Sequence, residues 1–295
     1  MGNIITDLRQ KFRSSDVCMQ FIYINVAVFV VVQLSVVCCR LFNQDTTWVY
    51  TLEIPSLLPI FGWQPWSLFT YMFMHAGLLH LLFNMLWLYC FGRLFLWTYS
   101  ARHFRGLYLL GGLVGAFTYL AAYALLPFFN GQVGWLLGAS AAVLAIVIAT
   151  AIGDPERPMT FFLLGTIKLK YVALIMIVSD MLFITSDNAG GHIAHLGGAL
   201  AGWIFAYGIR SGKYDATSWI NKILDFITDF FSSDKKEKKA RMKVNYGNRA
   251  QDYEYNARKR ANEEEIDHIL DKLKKSGYDS LTTEEKKRLF DASKR

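Results

Sequence analysis

Six mostly apolar stretches constrain this chain more than any other feature: residues 21–41, 78–97, 106–126, 137–153, 170–185 and 191–209. A helix of about 20 apolar residues crosses a hydrocarbon core of about 30 Å. The lengths therefore predict six transmembrane helices in an all-α membrane bundle. The cationic side chains test that count. Arg9, Lys11 and Arg13 precede the first stretch, and no Lys or Arg lies between Phe42 and Gly77. The second connection carries Arg102 and Arg105, and the third, Pro127 to Leu136, carries neither residue type. Arg157, Lys168 and Lys170 fall in the fourth, none falls in Thr185 to Ala189, and Arg210, Lys213 and Lys222 follow the last stretch. Strict alternation fits six spans with both ends in the cytoplasm. The expected location is a cell membrane, specifically a bacterial inner membrane.

Charge divides the chain into an apolar body and a charged tail. Hydrophobic residues make up 53% and charged ones 19%, and much of that charge lies in residues 234–295. The net charge of +7 could suggest nucleic acid, but its placement in a tail and short loops suits a membrane surface better. Cys18, Cys38, Cys39 and Cys90 show no metal or disulfide spacing and read as packing residues. Residues 1–20 are expected as a cytoplasmic N-terminus without a cleavable leader. Residues 21–210 form the membrane domain, 211–261 an interfacial helix and basic linker, and 262–295 a cytoplasmic hairpin. The first connection carries Trp48, Tyr50, Trp63, Trp66, Phe69 and Tyr71, which suits a loop lying partly in the outer leaflet. Trp219, Ile220, Ile223, Leu224, Ile227, Phe230 and Phe231 fall near one face of an amphipathic helix. In the tail, Ile266, Ile269, Leu270 and Leu273 repeat at helical spacing, Gly277 ends that helix, and Thr282 with Glu285 forms a capping box for the next.

Polar side chains inside apolar helices are costly and point to function. Four meet that description: His80 and Asn84 in the second stretch, Ser140 in the fourth and His195 in the sixth. Ser140 and His195 each lie about four residues into their expected helix, roughly 6 Å deep, with His80 at a similar level. His195, Gly198 and Gly202 share a face, and Ala141, Ala145 and Ala149 offer a small-residue stripe beginning beside Ser140. Joining the two stripes brings His195 toward Ser140. A serine nucleophile, a histidine base and oxyanion donors are what acyl transfer requires. His80, Asn84 and the Ser140 N–H fit the third role, and Gly138 permits a sharp entry. Taken singly, each residue reads as a helix-packing group. His192 reads as a surface residue near the loop, and His75 as a brace for the first connection. A metal is not expected, because no acidic partner accompanies the histidines.

Three motifs occur in order: His80-x-x-x-Asn84, Gly138-Ala139-Ser140-Ala141, and Ala194-His195-x-x-Gly198-x-x-x-Gly202. Together they resemble the rhomboid family of intramembrane serine proteases over about residues 20 to 210, with Trp66 and His75 as further matches. The resemblance implies a Ser140–His195 dyad without a third carboxylate, with His80 and Asn84 binding the oxyanion. It also implies membrane-spanning protein substrates cut near the outer leaflet, and no cofactor. Ala141 and Leu144 stand where the family usually has glycine and an aromatic residue, while Ser67 and Leu96 replace an arginine and a glutamate. Ala141 and Leu144 keep a rival open, an inactive rhomboid-like protein that binds client helices. A transporter is a second rival, without the internal repeats or midplane charges it would need. Gly190-Gly191 in the fifth loop suggests a mobile lid. The hairpin resembles an extension of some bacterial rhomboids. Oligomeric state is left open.

Overall fold

Where hydrocarbon leaves backbone groups no partner, a helix satisfies them internally. The computed structural model describes residues 4–161, 165–231 and 264–293, and most of them are helical. Its two compact units are Met1–Ser233 and Asp234–Arg295.

In the first unit, α1 (Ile4–Ser14) leads into α2 (Val17–Leu41), and the first connection contributes α3 (Leu58–Trp63) and α4 (Ser67–Thr70). The remaining helices are α5 (Leu78–Thr98), α6 (Ala101–Leu125), α7 (Ser140–Gly153), α8 (Leu169–Leu182), α9 (Ala189–Arg210) and α10 (Ser218–Phe231). Among the described residues, α2, α5 and α6 are long and apolar enough to cross a membrane. The Asp16 carboxylate caps α2 by accepting the Met19 N–H at 2.9 Å, and Ser100 caps α6 through the His103 N–H at 3.2 Å. Val31 and Leu34 on α2, Leu79 and Phe83 on α5 and Trp203 on α9 lie exposed. Such a surface suits lipid rather than water. α7 has 14 residues and reaches only about 21 Å. Instead it is enclosed, with Val143, Leu144, Ile146 and Val147 all buried.

Glycine makes that enclosure possible. A Cβ added at Gly198 would stand 2.1 Å from the Ala141 carbonyl oxygen, and one at Gly202 would stand 2.3 Å from that of Ala145. On the other side, α6 presents Gly115 and Gly111, whose added Cβ atoms would meet the Ala141 and Ala145 methyls at 2.7 and 2.5 Å. α7 is thus held between two glycine-lined helices, and the extra methyl of Ala141 sits where Gly115 leaves room.

The first connection carries structure of its own. Strand β1 (Ile54–Pro55) pairs antiparallel with β2 (Trp135–Leu136), placing Ile54 opposite Leu136. The Trp66 indole N–H donates to the Thr51 carbonyl at 2.8 Å. Trp63, Trp66 and Phe69 are exposed, as a boundary segment would have them, but Tyr71 is buried. Its hydroxyl donates to the Gly112 carbonyl at 2.6 Å, so Tyr71 joins the loop to the core rather than facing a headgroup layer. A second antiparallel pair, β3 (Pro158–Phe161) with β4 (Gly165–Lys168), lies between α7 and α8 in the chain.

On α10, Ile220 and Asn221 turn inward, while Lys222, Thr228 and Asp229 lie exposed. Asn221 is buried, and Arg105 donates to Asn221 at 3.1 Å and Asp225 at 2.8 Å. Trp219, Ile223, Ile227 and Phe230 lie exposed, as an interfacial helix requires. In the second unit, residues 264–276 form α11 and Gly277 follows at φ +77°. Next comes α12 (Thr283–Ser293). The capping box forms: the Thr282 N–H donates to Glu285 at 2.7 Å, and the Glu285 N–H to the Thr282 hydroxyl at 3.3 Å. The basic linker, Lys235 to Lys259, lies outside the described residues.

Replacing Gly198 by Val should destabilise the protein by about 2 kcal/mol or more, read as a lowered thermal midpoint in detergent. Gly62→Ala, with nothing within 4 Å of the added methyl, should leave it unchanged. Equal midpoints for both variants would contradict the close approach of α7 and α9.

Candidate active site

Strand β2 ends just before Gly138, which adopts φ +123°, a conformation that favours glycine. Its N–H donates to the Tyr71 carbonyl at 2.9 Å, and a Cβ there would meet the His80 ring at 2.9 Å. The turn delivers Ser140 as the first residue of α7, so the serine opens the helix rather than lying four residues into it. An N-terminal position leaves backbone N–H groups without intrahelical partners and adds the positive end of the helix dipole.

The Ser140 hydroxyl donates to His195 Nε2 across 2.7 Å. On the far side of the ring, Nδ1 lies 2.8 Å from Asp180 Oδ1, and the same oxygen lies 2.8 Å from His192 Nδ1. A carboxylate oxygen between two imidazole nitrogens accepts from both, which assigns the Nδ1–H tautomer to His195 and leaves Nε2 an acceptor. The resemblance implied no third carboxylate, and the structure corrects that: Asp180 touches the histidine. His192 is likewise no bare surface residue but the second donor to Asp180. Sequence reasoning missed Asp180 although the signal was present, a carboxylate near the end of an otherwise apolar helix.

Asp180, His192 and His195 also supply the acidic partner whose absence argued against a metal, and their ligand atoms lie within 4.8 Å of one another. Tetrahedral zinc ligands at about 2.0–2.1 Å from the ion stand about 3.3 Å apart. The 2.8 Å separations here are instead those of hydrogen bonds.

His80 faces the same space. Its Nδ1 accepts the Ala76 N–H at 3.3 Å, leaving Nε2–H as a donor. That edge and the Ser140 hydroxyl both border Gly138, at 3.1 and 3.6 Å from a Cβ built there. The Asn84 amide donates to the His80 carbonyl at 2.9 Å, which uses one of its two N–H groups. A cavity of about 630 Å³ joins His80, Asn84, Ser140, Asp180 and His195, with Phe83, Trp87, Leu144 and Ile175 on its apolar side. Gly190 and Gly191 do not form a mobile loop. They lie in the first turn of α9, and a Cβ at Gly190 would strike the Tyr119 ring at 2.6 Å.

His75 is buried behind the site, its Nδ1–H donating to the Phe73 carbonyl at 3.3 Å and its ring 5.2 Å from that of His80. Burial first, then the neighbouring His80, lowers its pKa to about 4. It braces the segment that leads into α5.

Comparison with known proteins points to one family over the apolar body of the chain. The Rhomboid domain family matches residues 62–212, and a family of unknown function matches residues 251–295. RHOMBOID-like protein 12, mitochondrial, from Arabidopsis thaliana is 28% identical over 216 residues, covering 70% of this chain and 62% of that protein. Presenilin-associated rhomboid-like protein A, mitochondrial, from Danio rerio is 30% identical over 146 residues, or 46% of this chain and 36% of that protein. The chain thus spans less than two thirds of either relative.

The His75 shift sets a pH dependence. Its folded pKa lies below the unfolded value, so its contribution is complete above about pH 6.5 and is lost as pH falls toward 4. Between pH 6.5 and 5 this amounts to about 2 kcal/mol. The thermal midpoint should fall over that interval, and fall less in His75→Gln. Parallel curves for the two proteins would contradict it.

Proposed function

The chain belongs to the rhomboid family, and from that premise we propose that it is an intramembrane serine endopeptidase using Ser140 and His195. The observation that carries this reading is the 2.7 Å hydrogen bond between the two side chains at the edge of the cavity. Ser140 Oγ attacks the scissile carbonyl while His195 Nε2 takes its proton. The tetrahedral oxyanion is received by the Ser140 N–H and the His80 Nε2–H, with the Asn84 amide as a further donor. Collapse expels the amine, which takes the proton back from His195. Water, deprotonated by the same nitrogen, then releases the acyl group.

Six membrane spans and cytoplasmic termini complete the proposal. Alternating cationic loops and the helices over all six apolar stretches support it. The bacterial inner membrane receives no support from relatives named as mitochondrial proteins. The partners proposed are the bilayer and membrane-spanning protein substrates. An unwound segment with a small side chain would suit the partly apolar cavity. The compact site around Ala141 weakens the main ground for an inactive client-binding protein.

The test is a panel of single-pass membrane proteins co-reconstituted with the enzyme in liposomes, with fragments identified by mass. Wild type should yield paired fragments, and Ser140→Ala and His195→Ala none. His80→Ala should slow cleavage by roughly 10²- to 10³-fold. Fragments that persist in Ser140→Ala would refute the mechanism. Intact substrate held by folded wild-type protein would favour the client-binding rival.

A further inference from the structure

α8 is apolar from Val172 to Val178 and then carries Asp180, buried at 7% exposure. A carboxylate in such a helix is tolerated only when charge-assisted hydrogen bonds replace water. Here one oxygen, Oδ1, takes the Nδ1–H of both His192 and His195 at 2.8 Å. The two histidines are three residues apart on α9 and so project from one helix face. His195 spans the gap between that carboxylate and the Ser140 hydroxyl.

We propose that Asp180 is a positioning residue that fixes the ring orientation and Nδ1–H tautomer of His195, with His192 holding the shared carboxylate in place. The proposal rests on the Ser140–His195 reading and adds a third member to it. An unrestrained neutral imidazole can carry its proton on either nitrogen, and only the Nδ1–H form leaves Nε2 able to accept the serine proton. When Ser140 gives up that proton, His195 becomes an imidazolium. Asp180 stabilises the new charge through the bond it already makes, without taking the proton. The proton then leaves from Nε2 to the amine of the departing fragment, so the balance closes on Ser140, His195 and substrate alone. His192 contributes a second donor to the carboxylate, which cannot then rotate away from His195 without breaking two bonds.

Two measurements test it together. The first is NMR of protein carrying ¹⁵N-histidine in a Ser140→Ala background, where no turnover occurs. His195 should be found as the Nδ1–H tautomer, and both Asp180→Asn and Asp180→Ala should remove or mix it. The second is the liposomal cleavage rate. Asp180→Asn should lower it by roughly 10²- to 10⁴-fold, and Asp180→Glu should recover part of the loss. An unchanged His195 tautomer in both Asp180 variants would overturn the proposal, as would wild-type cleavage by Asp180→Asn. If wild-type protein cleaved nothing while the tautomer still depended on Asp180, the positioning role would stand and the protease reading would fail.

Discussion

Everything in the candidate site depends on how closely the backbones of α7 and α9 approach. Gly198 and Gly202 lie against the carbonyls of Ala141 and Ala145 at distances that leave no room for a side chain. In lipid the hydrophobic effect gives helices little reason to associate, and close packing of small residues replaces it. The same contact sets the register of the two helices, so Ser140 at the start of α7 meets His195 at a single hydrogen-bond distance. α6 repeats the arrangement from the opposite side with Gly111 and Gly115. The site is therefore fixed by backbone proximity, and the Ser140 and His195 side chains need little freedom of their own to meet.

Around that contact the polar groups form a continuous chain in apolar surroundings. His192 and His195 meet Asp180, His195 meets Ser140, and the Nε2 edge of His80 borders the same Gly138 turn. Low dielectric strengthens each link and penalises any that is left unmade. The turn is itself tied down by the Gly138 bond to Tyr71, which is in turn bonded to α6. The first connection thus supports the residue pair chemically as well as by shape.

Much of this was legible before any coordinates. Apolar length located the helices to within a few residues at most ends, and Gly277 and the Thr282–Glu285 box marked the hairpin correctly. Residues 137–139 were misread as helix, because their backbone path depends on the β1–β2 pairing and the His80 contact, both long-range in sequence. Gly190-Gly191 suggests a mobile lid in the sequence, but Tyr119 crowds the first glycine and Asn188 the second. Burial rather than composition decided Tyr71, which shares an aromatic-rich segment with the exposed Trp63 and Trp66. Asp180 was the instructive omission. It lies near the end of the fifth stretch, outside the three motifs that mark His80, Asn84, Ser140 and His195. Its pairing with His192 and His195 is a tertiary fact that no spacing within α8 encodes.

The proposed function rests on activation of the Ser140 hydroxyl by His195. It is tested most directly by exposing the purified, folded protein to a fluorophosphonate probe and locating the adduct by peptide mass. A single adduct should form on Ser140 and should fail to form in His195→Ala. A folded protein with no adduct, or one whose Ser140 adduct forms equally well without His195, would contradict it.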